Sequence, residues 1–258
     1  MRREANYLYL MLGLALGIVL ITASRPQALA GVLGVSTGVF SLMIVSAFVL
    51  AARKRQILIV VLLAASAYVP FVWMNINPRA LSPDLANSIY TINLCFWLLF
   101  IVYIGTIVFR SIMTATRIRG NEIYGVIYLY LLIGVMFAIL FQILVAWQPG
   151  ALYFDPARFP PSSVVEDRLY TRGAGDIIYY SFVTLGTVGY GDVTPATPLA
   201  RAISLIEAVA GIMYVATMIA RFVSIHTSAA RAHTHADSVP ASLEDRESMT
   251  AAAKRNAD

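Results

Sequence analysis

The chain is predicted to be an all-α membrane protein, and three observations carry that prediction. Of its 258 residues, 59% are hydrophobic and only 13% are charged, with a mean hydropathy of +0.73, which is more apolar than a soluble domain. Six apolar runs are each long enough to cross about 30 Å of hydrocarbon as a helix. Between the last two runs lies the stretch Thr184-Leu185-Gly186-Thr187-Val188-Gly189-Tyr190-Gly191-Asp192, where glycines, threonines and a carboxylate gather in an otherwise apolar sequence.

The runs cover residues 7–23, 28–51, 56–74, 85–109, 123–147 and 199–225. The first follows Arg2 and Arg3, as a signal peptide's core would, yet it has spanning length and the polar break at 24–27 is no cleavage pattern, so it is read as a spanning helix. Pro70 kinks the third helix or loosens its end. The fourth run, 85–109, holds no lysine or arginine; Arg110, Arg117 and Arg119 all follow it. Moving one elementary charge through 100 mV is worth about 2.3 kcal/mol, and sensor helices therefore carry several arginines. Residues 1–113 are accordingly expected to form a four-helix domain that does not sense voltage.

Residues 111–122 form a basic connector broken at Gly120-Asn121. Lipid attraction alone would hold it at the interface. The fifth run ends on Trp147, and Trp73 ends the third, as aromatic belts do. Pro149, Pro156, Pro160 and Pro161 exclude helix from much of the loop 148–175. Asp176 is placed to cap a helix over 177–185, too short to span and therefore re-entrant. Pro195 and Pro198 introduce the last helix. The polar tail, 229–258, is expected to be largely disordered, with His226, His233 and His235 solvated for want of further metal ligands.

Charge sets an orientation. Segments on the N-terminal side of the membrane hold 13 of the 19 basic residues, which places both termini in the cytoplasm of a multi-pass cell-membrane protein. The net charge of +5 thus reflects topology and lipid headgroups as partners, and no nucleic acid is expected. Cys95 is the only cysteine, so no intrachain disulfide forms. No catalytic constellation is present and no cofactor is expected. Asn75, Asn77, Asn87 and Asn93 either line a small polar site at the outer end of the four-helix domain or cap helix ends there.

Thr187, Val188, Gly189, Tyr190 and Gly191 spell the filter loop of potassium channels. As a soluble turn Gly-Tyr-Gly-Asp would also be at home, but a short helix before the loop and a spanning helix after it weigh against that. The segment 122–228 resembles the two-helix pore domain of potassium channels, and the whole chain resembles a small prokaryotic six-helix member without a voltage sensor. The resemblance implies a homotetramer around one pore, with K+ as the permeant ion. Backbone carbonyls of residues 187–191 would replace the ion's water, the Thr187 hydroxyl adding an oxygen at the inner mouth. Aligned carbonyls require positive φ at alternate residues, which Gly189 and Gly191 tolerate.

Other positions take their roles from the same resemblance. It implies that the connector 111–122 transmits movement to the last helices, where lipid attraction alone would merely hold it. Tyr179 and Tyr180 stand where relatives place filter-bracing tryptophans, with Val183 and Thr184 beside them on the short helix. Val183 occupies a site where some bacterial members carry glutamate, and Gly186 one where a second threonine is common. Asp192 would ring the outer mouth with carboxylates, fasten the filter's outer end, or do both. Gly211, 24 residues after Thr187, stands at the hinge-glycine spacing; it is either that hinge or a close-packing point. Val215, Ile219 and Val223, recurring every fourth residue, would line the lower pore or else pack in a helix–helix core. Glu207, the only acid within a spanning run, either braces the short helix from behind or titrates. The resemblance thus implies a pore domain over 114–228 that passes K+ passively. The rival readings are a nonconducting sensor or assembly subunit, and a channel-derived transporter, which would carry four degraded loops in one chain.

Overall fold

The computed structural model describes residues 7–23, 83–114, 120–158 and 174–237. In chain order these form α1 (Tyr7–Ala23), α2 (Pro83–Met113), α3 (Gly120–Trp147), β1 (Leu152–Phe154), α4 (Ala174–Leu185), β2 (Val193–Pro195) and α5 (Pro198–Asp237). The chain divides into two units, Met1–Val215 and Ala216–Asp258; of the second, 216–237 are described, as the C-terminal part of α5. The expected helices over 28–51 and 56–74, Asn75 and Asn77 among the polar candidates, and the tail beyond 237 lie outside the described residues.

Among the described residues three helices, Ser88–Met113, Glu122–Trp147 and Pro198–Ile225, are long and apolar enough to cross a membrane. Their ends differ from the expected ones in physically instructive ways. α2 runs on to Met113, so Arg110 sits in its last turn, where a cation faces the negative end of the helix dipole. Thr114 closes that end, its N–H and its Oγ1 both donating to the Arg110 carbonyl (3.0 and 2.9 Å). α3 opens on Gly120, the residue expected to break the chain, with Glu122 in its first turn. α4 begins at Ala174, so Asp176 lies inside its first turn rather than capping it; the carboxylate still meets the positive end of the helix.

α3 ends in a tight reversal. The Ala151 N–H donates to the Gln148 carbonyl at 3.0 Å, and Gly150 takes φ +85°, so Pro149-Gly150 occupy the centre of a type II turn. The turn delivers β1 to an antiparallel pairing with β2, Leu152 opposite Pro195 and Phe154 opposite Val193. This short ladder is an addition to a mainly helical fold that the expectation did not include. α5 starts on a Thr197 cap: its Oγ1 accepts from the Ala200 N–H (3.3 Å) and its carbonyl from the Arg201 N–H (3.0 Å), with Pro198 as first helical residue. α5 also continues past the expected end at 225, as far as Asp237.

Within the first unit α3 is the hub, packed against α1, α2 and α4. Phe137, Phe141 and Leu144 of α3 share a core with Leu152, Phe154, Ile177, Tyr180, Val193 and Ala200. Phe141 meets the Tyr180 ring edge-on, with centroids 4.9 Å apart. Every element flanking the loop 186–192 contributes to this core, so both ends of the loop are anchored in packed structure. α1 is fixed at its start, where the Tyr7 hydroxyl donates to Ser111 Oγ at 2.8 Å and its ring lies against Gly125.

Candidate functional site

The site is built on the C-terminal end of α4. A helix leaves its last four carbonyls without intrahelical partners, and here the following loop takes up most of them. Gly186 N–H donates to Phe182 O (3.0 Å), Thr187 N–H to Thr184 O (3.0 Å), and Val188 N–H to Val183 O (2.9 Å), which Gly189 N–H also approaches at 3.4 Å. The pair Val188 to Val183 and Thr187 to Thr184 is the six-to-one and five-to-two pattern of a Schellman cap. The Tyr130 hydroxyl of α3 reaches the remaining carbonyl, Leu185 O, at 3.5 Å.

The Schellman cap explains a feature that residue types alone concealed. Its left-handed position, usually glycine, is filled by Thr187 at φ 55°. Gly189 at φ 59° and Gly191 at φ 80° follow, so positive φ recurs at three alternate residues. In an extended chain with uniformly negative φ successive carbonyls point to opposite sides. Turning over every second peptide brings them to one side. The β-branched Thr187 bears a cost in that conformation that glycine does not. Thr187→Gly is therefore expected to raise the thermal unfolding midpoint of the detergent-solubilised protein, by about 1 kcal/mol of stability.

The far end of the loop is held by side chains. Tyr179 of α4 donates its hydroxyl to Asp192 Oδ2 at 2.7 Å. Asp192 Oδ1 accepts from the Val193 N–H at 3.0 Å, and the Asp192 carbonyl accepts from the Asp155 N–H at 2.9 Å. Asp192 is buried and both its carboxylate oxygens are engaged, which ties the outer end of the loop to α4 and β2. Burial, then the hydrogen bond to and charge of Asp192, push the Tyr179 phenol up to about 12, so it stays a donor at neutral pH. The Tyr190 ring lies parallel to the Tyr179 ring, centroids 6.4 Å apart and 2° from coplanar. Tyr180 turns elsewhere: its hydroxyl pairs with Ser204 of α5 at 2.6 Å.

Behind the loop stands α5. Glu207 is fully buried and lies 2.5 Å from the Ser181 hydroxyl of α4, which is also 2.8 Å from the Gly134 carbonyl of α3. Glu207 of α5 thus lies against α4 through Ser181. Gly211 is buried, and a Cβ added there would overlap the Leu185 carbonyl oxygen, which is the close-packing geometry. Val215, in the first unit, is exposed, as are Ile219 and Val223 in the second. Of the asparagines, Asn93 is buried on α2.

Sequence reasoning missed Ser181, Gly134, Tyr130 and Asp155. The signal available for the first was a serine in an apolar short helix facing the one acid of a spanning run; Asp155 offered none, since its contribution is a backbone N–H. Among the described residues no cluster of three or more His, Cys, Asp or Glu side chains forms a metal site.

Known proteins match where this geometry lies. A family model described as "Ion channel" covers residues 96–228, just over half of the chain, and the chain belongs to that ion channel family. It is similar to the two pore potassium channel c of Oryza sativa subsp. japonica, 41% identical over 54 residues, which are 21% of this chain and 12% of the relative. The match therefore spans only a small part of that relative's length. No solved structure matches. Family and apolar helices together make this a membrane protein of the ion channel class, with a mainly helical fold.

Proposed function

We propose that the chain assembles as a homotetramer around a central pore and passes K+ passively, its filter formed by Thr187, Val188, Gly189, Tyr190 and Gly191. The observation that carries this reading is the alternation of positive φ at 187, 189 and 191, which suits a row of carbonyls replacing a cation's water. The similarity to a protein named as a potassium channel supports the choice of ion. Val188 and Tyr190 are 55% and 66% exposed in one copy, as expected of a loop that supplies a quarter of a ring and meets its neighbours around a symmetry axis.

In the same reading residues 1–113 form a domain without gating arginines, 114–228 the pore domain and 229–258 a cytoplasmic tail. Val215, Ile219 and Val223 keep their proposed place in the lower pore, and the Tyr190 end of the filter faces outward from the cell membrane. The test is flux into liposomes holding the purified protein. K+ uptake well above Na+ uptake, blocked by barium and without steep voltage dependence, is expected. A particle without fourfold symmetry, or equal uptake of the two ions, overturns the reading; fourfold particles with no flux point to a nonconducting subunit.

A further inference from the structure

Ser181 has one hydroxyl proton and two oxygen neighbours. Its Oγ is 2.8 Å from the Gly134 carbonyl oxygen and 2.5 Å from Glu207 Oε1. Ser181 and Glu207 are both 0% exposed. If Glu207 were a carboxylate, both neighbours would be acceptors. The serine proton would serve one of them, and the other pair of oxygens would face each other at hydrogen-bond distance with no hydrogen between. Glu207 Oε2 makes no hydrogen bond, so the same carboxylate would also leave a buried anionic oxygen unsolvated, which a low-dielectric interior strongly disfavours.

One proton removes both difficulties. With Glu207 as the acid, Oε1–H donates to Ser181 Oγ, and Ser181 Oγ–H donates to the Gly134 carbonyl. Every hydrogen is then used, and the unpartnered Oε2 is a neutral carbonyl oxygen. We infer that Glu207 is a proton-binding site, and that its carboxylic acid form clasps α5 through Ser181 of α4 to Gly134 of α3. The clasp is short because α3 and α4 touch closely: a Cβ on Gly134 would lie 2.6 Å from the Phe182 ring.

Among the described residues no cation acts on Glu207. The described titratable groups that sense its charge are Tyr130 on α3 and Tyr180 on α4, whose hydroxyls are directed to Leu185 O and Ser204. α1, which also packs on α4, carries only Tyr7 and Tyr9. The acids of α3 and α4, Glu122 and Asp176, sit in the first turns of their helices. Loss of the Glu207 proton therefore leaves a bare buried charge where three helices meet behind the proposed filter, and the clasp opens as pH rises. Above its midpoint the clasped fraction falls about tenfold per pH unit.

The functional half of the inference rests on the conducting reading; the proton itself does not, and the experiment separates them. Infrared difference spectra of the protein in liposomes are expected to show a protonated-carboxyl band that vanishes on alkalinisation. Glu207→Gln should abolish that band, and Ser181→Ala should shift its frequency without removing it. Glu207→Gln, whose amide can donate to Ser181 in the acid's place, should keep near wild-type K+ flux while losing the alkaline decline. Absence of the band in the wild type, or a band that Glu207→Gln leaves intact, overturns the proton site. If Glu207→Gln does not fold, an unshifted band in Ser181→Ala does the same. A Glu207 band with an unchanged flux–pH profile in Glu207→Gln overturns the clasp as a regulator. A Glu207 band in a protein with no flux upholds the proton site and removes the conducting reading instead.

Discussion

Gly211→Ala is expected to destabilise the folded protein by about 1–3 kcal/mol, the usual range for an added carbon in a filled space, and to reduce the proposed K+ flux sharply. The new methyl would overlap the Leu185 carbonyl oxygen and stand 3.0 Å from Leu185 Cδ1 and 3.3 Å from its carbonyl carbon. A backbone carbonyl cannot swing aside as a flexible side chain can. Leu185 is itself buried, the last residue of α4 and one residue from the loop, so any shift passes straight into 186–189. Gly105→Ala is the control: its Cβ would lie an ordinary 3.4 Å from Leu132, and alanine there gains about 1 kcal/mol of helix propensity. Thermal midpoint and flux read together decide between the two readings of Gly211. A contact predicts loss of both; a hinge predicts altered flux at unchanged midpoint. Unchanged values of both for Gly211→Ala would contradict either.

Which features could be read in the residues, and which could not, depends on how local each cause is. Apolar run length marked α1, α2, α3 and α5, because crossing hydrocarbon is a demand on contiguous composition. Pro198 announced the start of α5 for a local reason too, the fixed φ of its ring. The β1–β2 ladder was invisible: three-residue strands carry no readable alternation, and their pairing joins segments about 40 residues apart through the tight turn at Pro149-Gly150. α5 outran its expected end because the residues after 225 were judged by polarity. A helix already nucleated upstream adds further residues without meeting the initiation cost again. The motif at 187–191 was plain in composition, whereas the positive φ of Thr187 is imposed by the cap that ends α4. Glu207 stood out by charge alone, but its partner Ser181 needed the packing of α4 between α3 and α5.

Tyr179→Phe is expected to loosen the outer end of the loop and to lower the ratio of K+ to Na+ flux, because the lost hydroxyl is the partner of a buried carboxylate. A hydrogen bond to a charged group contributes about 1.5–3 kcal/mol, and this one is short, 2.7 Å to Asp192 Oδ2. Asp192→Asn keeps the shape but replaces a charged acceptor by a neutral amide, so it should weaken the same contact. If the two side chains act as a pair, the double substitution costs less than the sum of the singles, by about 1 kcal/mol or more. Strict additivity would show that the hydroxyl and the carboxylate act separately. The Tyr190 ring sharpens the expectation, since it lies parallel to Tyr179 and phenylalanine retains that face. A fall in selectivity on Tyr179→Phe therefore reports the hydrogen bond and not the ring. The pH dependence has a definite sign. The phenol is raised from 10.0 to about 12, so the contribution of the bond is complete below pH 10 and is lost as pH climbs through about 12. Selectivity that declines over that alkaline window in the wild type, with Tyr179→Phe already low and flat across it, is the outcome this geometry requires.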